Sequence, residues 1–399
     1  MAVNHITSSL APYPMEELAR IRKELVQLGM PVFDFGTGDP KIPTWAAIPE
    51  AIRNAIPAIS QYPSVKGSDE LHKAQCGYLL RRFGLQSSPD WTVIPSQGSK
   101  EAIFNIALIL VGRSGGKRRI LYPDPGYPVY KSSTLFAGGI PTPYRLKPED
   151  DYLIKPWTLP IDIQRESAAV WVNYPHNPTG YMATLPYWQE LIAWAHKMDV
   201  VILSDDCYVD IYDPKFDDEY EASPHTWDPR PICPLNLSKD RILTFMSLSK
   251  RSGMTGYRAG LIAGDTRIIQ PFLRARANFG VGSPDFVQAG ATVAWGDDEH
   301  VKVRRATFAK RMQVAGKFLI ELGVLDRVPE STFYLWCKIP EKFGDDDVGF
   351  CLKLAQEGVI TSPSQWLSEG IRGYVRFALV PDEDDTTIAM EIVQKFLTA

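Results

Sequence analysis

Several common signatures are missing from the 399-residue chain, and each absence narrows its class. Cysteine is scarce: Cys76, Cys207, Cys233, Cys337 and Cys351 are the full set. They are odd in number, widely spaced and form no CxxC, so neither a disulfide framework nor a zinc site is expected, and a reducing compartment is favoured. Excess positive charge is missing too. The 43 Lys and Arg are outnumbered by 47 Asp and Glu, a net charge of -4, which leaves no footprint for nucleic acid or an anionic membrane. Apolar runs such as "AIFNIALILVG" fall short of a membrane span. The opening "MAVNHITSSLAPYPMEELARI" has no charged region followed by an apolar one, so no secretory signal is read and a cytoplasmic location is expected. Finally, no GxGxxG follows the first strand, which sets a Rossmann dehydrogenase aside.

What remains is an ordinary globular composition, 45% hydrophobic and 23% charged, on a chain long enough for two bodies. Short apolar bursts end in polar or glycine residues: "RRILYPD" (118–124), "AAVWVNYP" (168–175), "DVVILSDD" (199–206), "RILTFMSLS" (241–249) and "RAGLIAG" (258–264). Helical periodicity separates them, as in "GSKEAIFNIALILVG" (98–112) and "LPYWQELIAWAHKM" (185–198). That alternation predicts an α/β domain of mostly parallel buried strands over 46–285. A long charged helix over 299–322, "TFYLWCKI" (332–339), a helix near 347–357, "GYVRFALV" (373–380) and a final helix from Asp384 predict a smaller α+β domain over 286–399. The Gly/Pro-rich segment 1–45 is expected to pack beside it.

Ligands of open α/β sheets sit at the carboxyl ends of the strands. Those ends carry "NYPHNPTG", "SDDCY" and "SLSKRSGMTGYRAG". Taken singly, each admits a plain reading. Asp205 closes an apolar strand, where a carboxylate needs a salt bridge, a cap or a ligand. "NPTG" reads as a turn, Lys250 as a surface lysine and Tyr127 as a core tyrosine. "SQGSK" (96–100) reads as a helix cap or as an anion cradle.

Their joint order is far more specific. Gly-Ser at a helix start, then "DPGYPVY", "NPTG", Asp-x-x-Tyr and Ser-x-Ser-Lys followed by Arg258 resembles the fold-type I pyridoxal-phosphate enzymes. Along essentially its whole length the chain resembles the class I/II aminotransferases. The resemblance implies a large domain with a mostly parallel seven-stranded sheet, a smaller α+β domain, and pyridoxal 5'-phosphate as cofactor. It implies that Lys250 holds the cofactor covalently and moves the substrate proton, with its amine pKa depressed. Asp205 would face the ring nitrogen, and Tyr208 and Asn177 the phenolic oxygen. Tyr127 would stack on the ring. Ser99, Lys100, Ser247 and Arg258 would hold the phosphate. Tyr62 would reach the phosphate of a neighbouring subunit, making a homodimer with a shared active site. Arg376 would grip the substrate carboxylate, with Asn177 beside it and Gly38 closing over the substrate; Arg372, in a polar turn, is its competitor.

Two departures stand out. Asp206 replaces the common glutamate, and Ser-Pro-Ser at 362–364 replaces a common Pro-Gly, leaving that loop's shape open. With Arg251-Ser252 after the lysine, the chain is most similar to the N-succinyldiaminopimelate aminotransferases of lysine biosynthesis. Lys41, Lys66 and Arg251 are the candidates for gripping a distal carboxylate. Aspartate, alanine or aromatic aminotransferases and a carbon–sulfur β-lyase are alternatives on the same fold. A non-catalytic regulator sensing pyridoxal phosphate is a remote one.

Overall fold

The computed structural model describes residues 4, 6–9, 16–112, 116–223 and 228–398. After a short β1 (Phe33–Asp34), the larger body is laid on β2 (Trp91–Ser96), β3 (Arg119–Asp124), β4 (Ile140–Arg145), β5 (Ser167–Val172), β6 (Val201–Asp205), β7 (Ile242–Ser247) and β8 (Gly260–Asp265). Among the described residues these form one seven-stranded sheet in the order β2-β8-β7-β6-β5-β3-β4. Only β8 runs antiparallel to its neighbours, β2 and β7.

Strands β5 and β7 are buried on both faces, which is why they read as continuous apolar runs rather than alternating ones. Val170, Val172 and Ile202 pack with Trp188 and Leu191 on one side. Ala169, Trp171, Leu203 and Phe245 pack with Ile103 and Ile106 on the other. The helix Leu185–Met198 starts at Thr184, whose hydroxyl accepts the Tyr187 N–H at 3.5 Å, with Pro186 in the first turn. It stops at Asp199, held at a left-handed φ of 53°.

Two strands escape a search for apolar bursts. β2 contains Pro95, and β4 contains Pro141 and Pro143. Both lie at sheet edges, where a residue without an N–H costs no ladder bond.

The smaller body holds β9 (Tyr334–Lys338), β10 (Val359–Ile360), β11 (Ser362–Pro363) and β12 (Tyr374–Ala378). β12 lies between β11 and β9, antiparallel to each. β1 pairs in parallel with β10, Phe33 opposite Val359, so the N-terminal segment closes this core with Phe35 against Leu335, Phe377 and Met390. Alternation along β9 and β12 sends Leu335, Cys337, Val375 and Phe377 into that core. Tyr334, Trp336 and Arg376 therefore face the large body.

The helix Asp285–Gly296 packs on Ala47–Asn54 and Asp69–Phe83. Gly290 allows the approach, since a Cβ there would lie 2.6 Å from Ile52.

Candidate active site

The parallel strands β5, β6 and β7 deliver their last residues to one cleft. Asn173, just after β5, is the organiser: its Nδ2 donates to the Asp205 backbone oxygen at 2.6 Å, and its Oδ1 accepts the Asn177 N–H at 2.9 Å. Asp205, the last residue of β6, is buried. One carboxylate oxygen accepts from the Tyr130 hydroxyl at 2.7 Å, while Oδ1 is buried with no partner. Burial pushes the Asp205 pKa up, against hydrogen bonds from Cys207 and Tyr130. An orphaned carboxylate oxygen is costly, so Oδ1 calls for a cationic donor.

Lys250 lies in the one-turn helix Leu248–Arg251 rather than on the strand, with Ser247 as its cap at the end of β7. Its Nζ donates to the Gly38 carbonyl. Burial first, then the charges of Arg376 and Arg258, lower its pKa to about 8, although Cys207 and Asp39 pull the other way. Part of the population is thus a neutral, nucleophilic amine near neutral pH.

At the other end of the cleft, Gly98 takes φ +72° and opens the helix Ser99–Leu110. Arg258 lies over this turn: a Cβ on Gly98 would be 2.6 Å from its Nη2. Arg258 is exposed, and its hydrogen bonds go to the Thr255 and Gln97 carbonyls rather than to an acid. Ser99 Oγ is 3.0 Å from Cys207 Sγ. Lys100 is exposed in the first helical turn. Free N–H groups, hydroxyls and an arginine without an acid form a ready cradle for a phosphate monoester.

Across the cleft, the buried Arg376 donates to Asn177 Oδ1 at 3.0 Å and to the Gly36 carbonyl at 2.8 Å, and meets Ser362 Oγ at 3.4 Å. Its Nε is buried without a partner, and no carboxylate pairs with it among the described residues. Such a guanidinium is available for a substrate carboxylate. Arg372 instead bonds the carbonyls of Ser368 and Ile371. The Ser-Pro-Ser loop is anchored by Ser362, which donates to the Gly36 carbonyl at 2.7 Å, and by Ser364 bonded to Asp347. Tyr208 shares a 2.8 Å hydroxyl–hydroxyl bond with Tyr334. Gly38 is needed there, because a Cβ would lie 2.2 Å from the Tyr334 hydroxyl. Tyr127 is partly buried, edge-on to Tyr130 at 5.7 Å. Tyr62 stands apart from all of these and is fully exposed.

Three residues escaped the sequence reading: Tyr130, Tyr334 and Ser362. Tyr130 sits inside the quoted "DPGYPVY", where its spacing from Tyr127 was the available signal. Nothing local marks Tyr334; Ser362 lies in the Ser-Pro-Ser departure noted in the sequence, but its contacts with Gly36 and Arg376 show only in the fold. The distal cations fare differently. Lys41 and Lys66 are exposed, and Arg251 is buried in ion pairs with Asp210 (2.9 Å) and Asp298. Ser252 is bound to His300 at 2.8 Å. Asp206 is buried against Ser204 and Thr244, with burial raising its pKa to about 8.

The donor set fits pyridoxal 5'-phosphate: a phosphate cradle at one end, a buried carboxylate with one unpartnered oxygen for a ring N–H at the other, and a neutral-prone lysine between. Residues 23–393 match the family aminotransferase class I and II, and the chain belongs to it: a pyridoxal-phosphate-dependent aminotransferase of fold type I. It is 34% identical to LL-diaminopimelate aminotransferase of Aquifex aeolicus over 94% of each chain. It is 33% identical to LL-diaminopimelate aminotransferase 2 of Trichormus variabilis over 96% of each. Among solved structures, aminotransferase AspB of Helicobacter pylori aligns with a TM-score of 0.84 at 28% identity, covering 98% of this chain and 99% of that one. These curated relatives are named for LL-diaminopimelate, not for its N-succinyl derivative, which corrects the subfamily expected from the sequence. Arg251 and Ser252, which carried that expectation, are committed to buried packing and tell little about substrate. No helix among the described residues is long and apolar enough to cross a membrane.

Proposed function

We propose that this aminotransferase exchanges an amino group between glutamate/2-oxoglutarate and LL-diaminopimelate in lysine biosynthesis, in the cytoplasm. The observation that carries this substrate is the identity of about a third to relatives of that name, over nearly the whole of both chains. The residue roles are those the family resemblance implies, and the gathering of these residues in one cleft supports them. Bound pyridoxal phosphate supplies an electron sink for the substrate α-carbon. Lys250 holds the cofactor and, once freed, carries the proton at the α-carbon with its neutral Nζ. Asp205, kept in place by Tyr130 and Asn173, keeps the ring nitrogen protonated. Tyr208 and Asn177 would donate to the phenolic oxygen, and Tyr127 would cover the ring. Ser99, Lys100, Ser247 and Arg258 would hold the phosphate. Arg376, aimed by Asn177 and Ser362, takes the α-carboxylate, and Gly38 closes over it.

The substrate is tested by kcat/KM across a donor panel with 2-oxoglutarate as acceptor. LL-diaminopimelate is expected to exceed N-succinyl-LL-diaminopimelate, aspartate and aromatic donors by at least about tenfold, roughly one lost polar contact. A preference for the succinylated form would restore the narrower reading from the sequence, and a preference for aspartate would remove diaminopimelate altogether.

The working unit proposed is a homodimer with a shared site. Ile56, Ile59 and Tyr62 are all exposed, an apolar stretch that a second copy would cover. Co-expressing Tyr62→Ala and Lys250→Ala chains should then produce hybrid dimers with one site free of both lesions, about a quarter of all sites by random pairing. Activity no greater than the sum of the parents would place Tyr62 in its own chain's site or outside any.

A further inference from the structure

The helix Glu299–Glu321 carries a cation that none of the roles above uses. Arg304 is only 3% exposed, and no carboxylate pairs with it among the described residues. Its contacts are backbone oxygens on two other segments. Nε meets the Lys250 carbonyl at 3.4 Å, and Nη1 meets the carbonyls of Ile42 and Pro43 at 3.3 Å each. Nη2 is buried without a partner. Burial, then the charge of Arg311, lowers the Arg304 pKa to about 10, so the side chain stays cationic near neutral pH.

Those carbonyls belong to the one-turn lysine helix and to the segment 36–45. That segment leaves β1 at Gly36, whose carbonyl accepts from Ser362 and Arg376. It then passes Gly38, packed on the Tyr334 hydroxyl and bonded to Lys250. Its far end is tied down separately. The Thr44 hydroxyl donates to the Gly253 carbonyl at 2.9 Å, and Trp45 stacks on His300 with ring centroids 5.2 Å apart. Helical spacing puts His300, Arg304 and Phe308 on one face. Phe308 in turn stacks on Phe333, whose ring lies 5.8 Å from Lys250 Nζ. Gly253, at φ +70°, leaves room for the guanidinium, since a Cβ there would lie 2.8 Å from Nη1.

A buried charge without an acid is costly, and an apolar side chain would fill the same space without that cost. What an apolar side chain lacks is the planar fork that reaches two segments at once. We infer that Arg304 is a positioning residue for substrate: it spans the lysine helix and the far end of segment 36–45, and so fixes where Gly38 sits over the amino acid held by Arg376. This rests on the carboxylate site proposed at Arg376, not on which second amino acid is used.

The test is the half-reaction of holoenzyme with glutamate, followed by cofactor absorbance, together with Tm. Arg304→Met should raise the half-saturating glutamate concentration about tenfold, the loss of roughly one hydrogen bond from a charged group. Its limiting rate should stay within about threefold of wild type, with Tm close to wild type or higher. Arg304→Lys keeps the charge but not the fork, so its half-saturation should fall between wild type and Arg304→Met. An unchanged half-saturation in Arg304→Met, a fall in limiting rate alone, or a loss of Tm in both variants would each overturn the inference. Should only Arg304→Met fail to fold, Arg304→Lys decides: weaker saturation at wild-type Tm supports the inference and unchanged saturation overturns it. Arg376→Lys separates the two readings. Weaker saturation there beside an unchanged Arg304→Met sinks the Arg304 role alone, whereas unchanged saturation in Arg376→Lys sinks the carboxylate site and the inference with it.

Discussion

Lys250→Ala is expected to abolish transamination, with kcat falling by at least about 10⁴-fold, because a general base and a covalent anchor go together. The physical basis is local. Burial and two arginines lower the Lys250 pKa to about 8, and its hydrogen bond runs to a backbone carbonyl rather than to an acid. The other lysine placed at the cleft, Lys100, is exposed at the cradle. The fold should survive, since removing a desolvated amine relieves a cost instead of breaking an ion pair. Pyridoxal phosphate should still occupy the cradle of Ser99 and Arg258, but without the absorbance of its lysine-bound form. Rapid-quench measurement of 2-oxoglutarate from glutamate reads the effect. Multiple turnovers in this variant would remove Lys250 from its role.

Asp205→Asn is the second large effect, with kcat lowered by about 10³-fold and Kd for the cofactor raised. The amide keeps an oxygen for Tyr130 and leaves the Asn173 bond to the backbone oxygen untouched. What it removes is the negative charge that holds a ring N–H protonated, an electrostatic contribution of several kcal/mol in a buried site. Steady-state kinetics and a cofactor titration on the same preparation check both halves. A kcat within tenfold of wild type would mean that the ring nitrogen is satisfied elsewhere.

These two residues could be singled out in the sequence because Asp205 ends an apolar strand and Lys250 follows one within a single turn, where polar residues need a reason. Their company made them specific: "NPTG", Asp-x-x-Tyr and Ser-x-Ser-Lys are each common, and the order is not. Short-range motifs could not announce Tyr130 as the Asp205 partner, or Tyr334 and Ser362 beside Tyr208 and Arg376. Those contacts join elements far apart in the chain, and alternation along β9 and β12 reveals them only once the strands are paired. Edge strands β2 and β4 hid behind their prolines. The substrate was the least legible feature. Arg251 and Ser252 resembled a subfamily signature, yet their side chains serve Asp210, Asp298 and His300. A residue next to the proposed cofactor lysine in sequence can point entirely into packing.

Stoichiometry without an acceptor puts the most direct question to the site as a whole. Wild-type enzyme mixed with excess glutamate and no keto acid should release about one 2-oxoglutarate per chain and then stop, as a two-stage exchange through one lysine-anchored cofactor requires. Continuous release of keto acid or ammonia under those conditions, or no release at all, would contradict an aminotransferase site built on Lys250, Asp205 and Arg376.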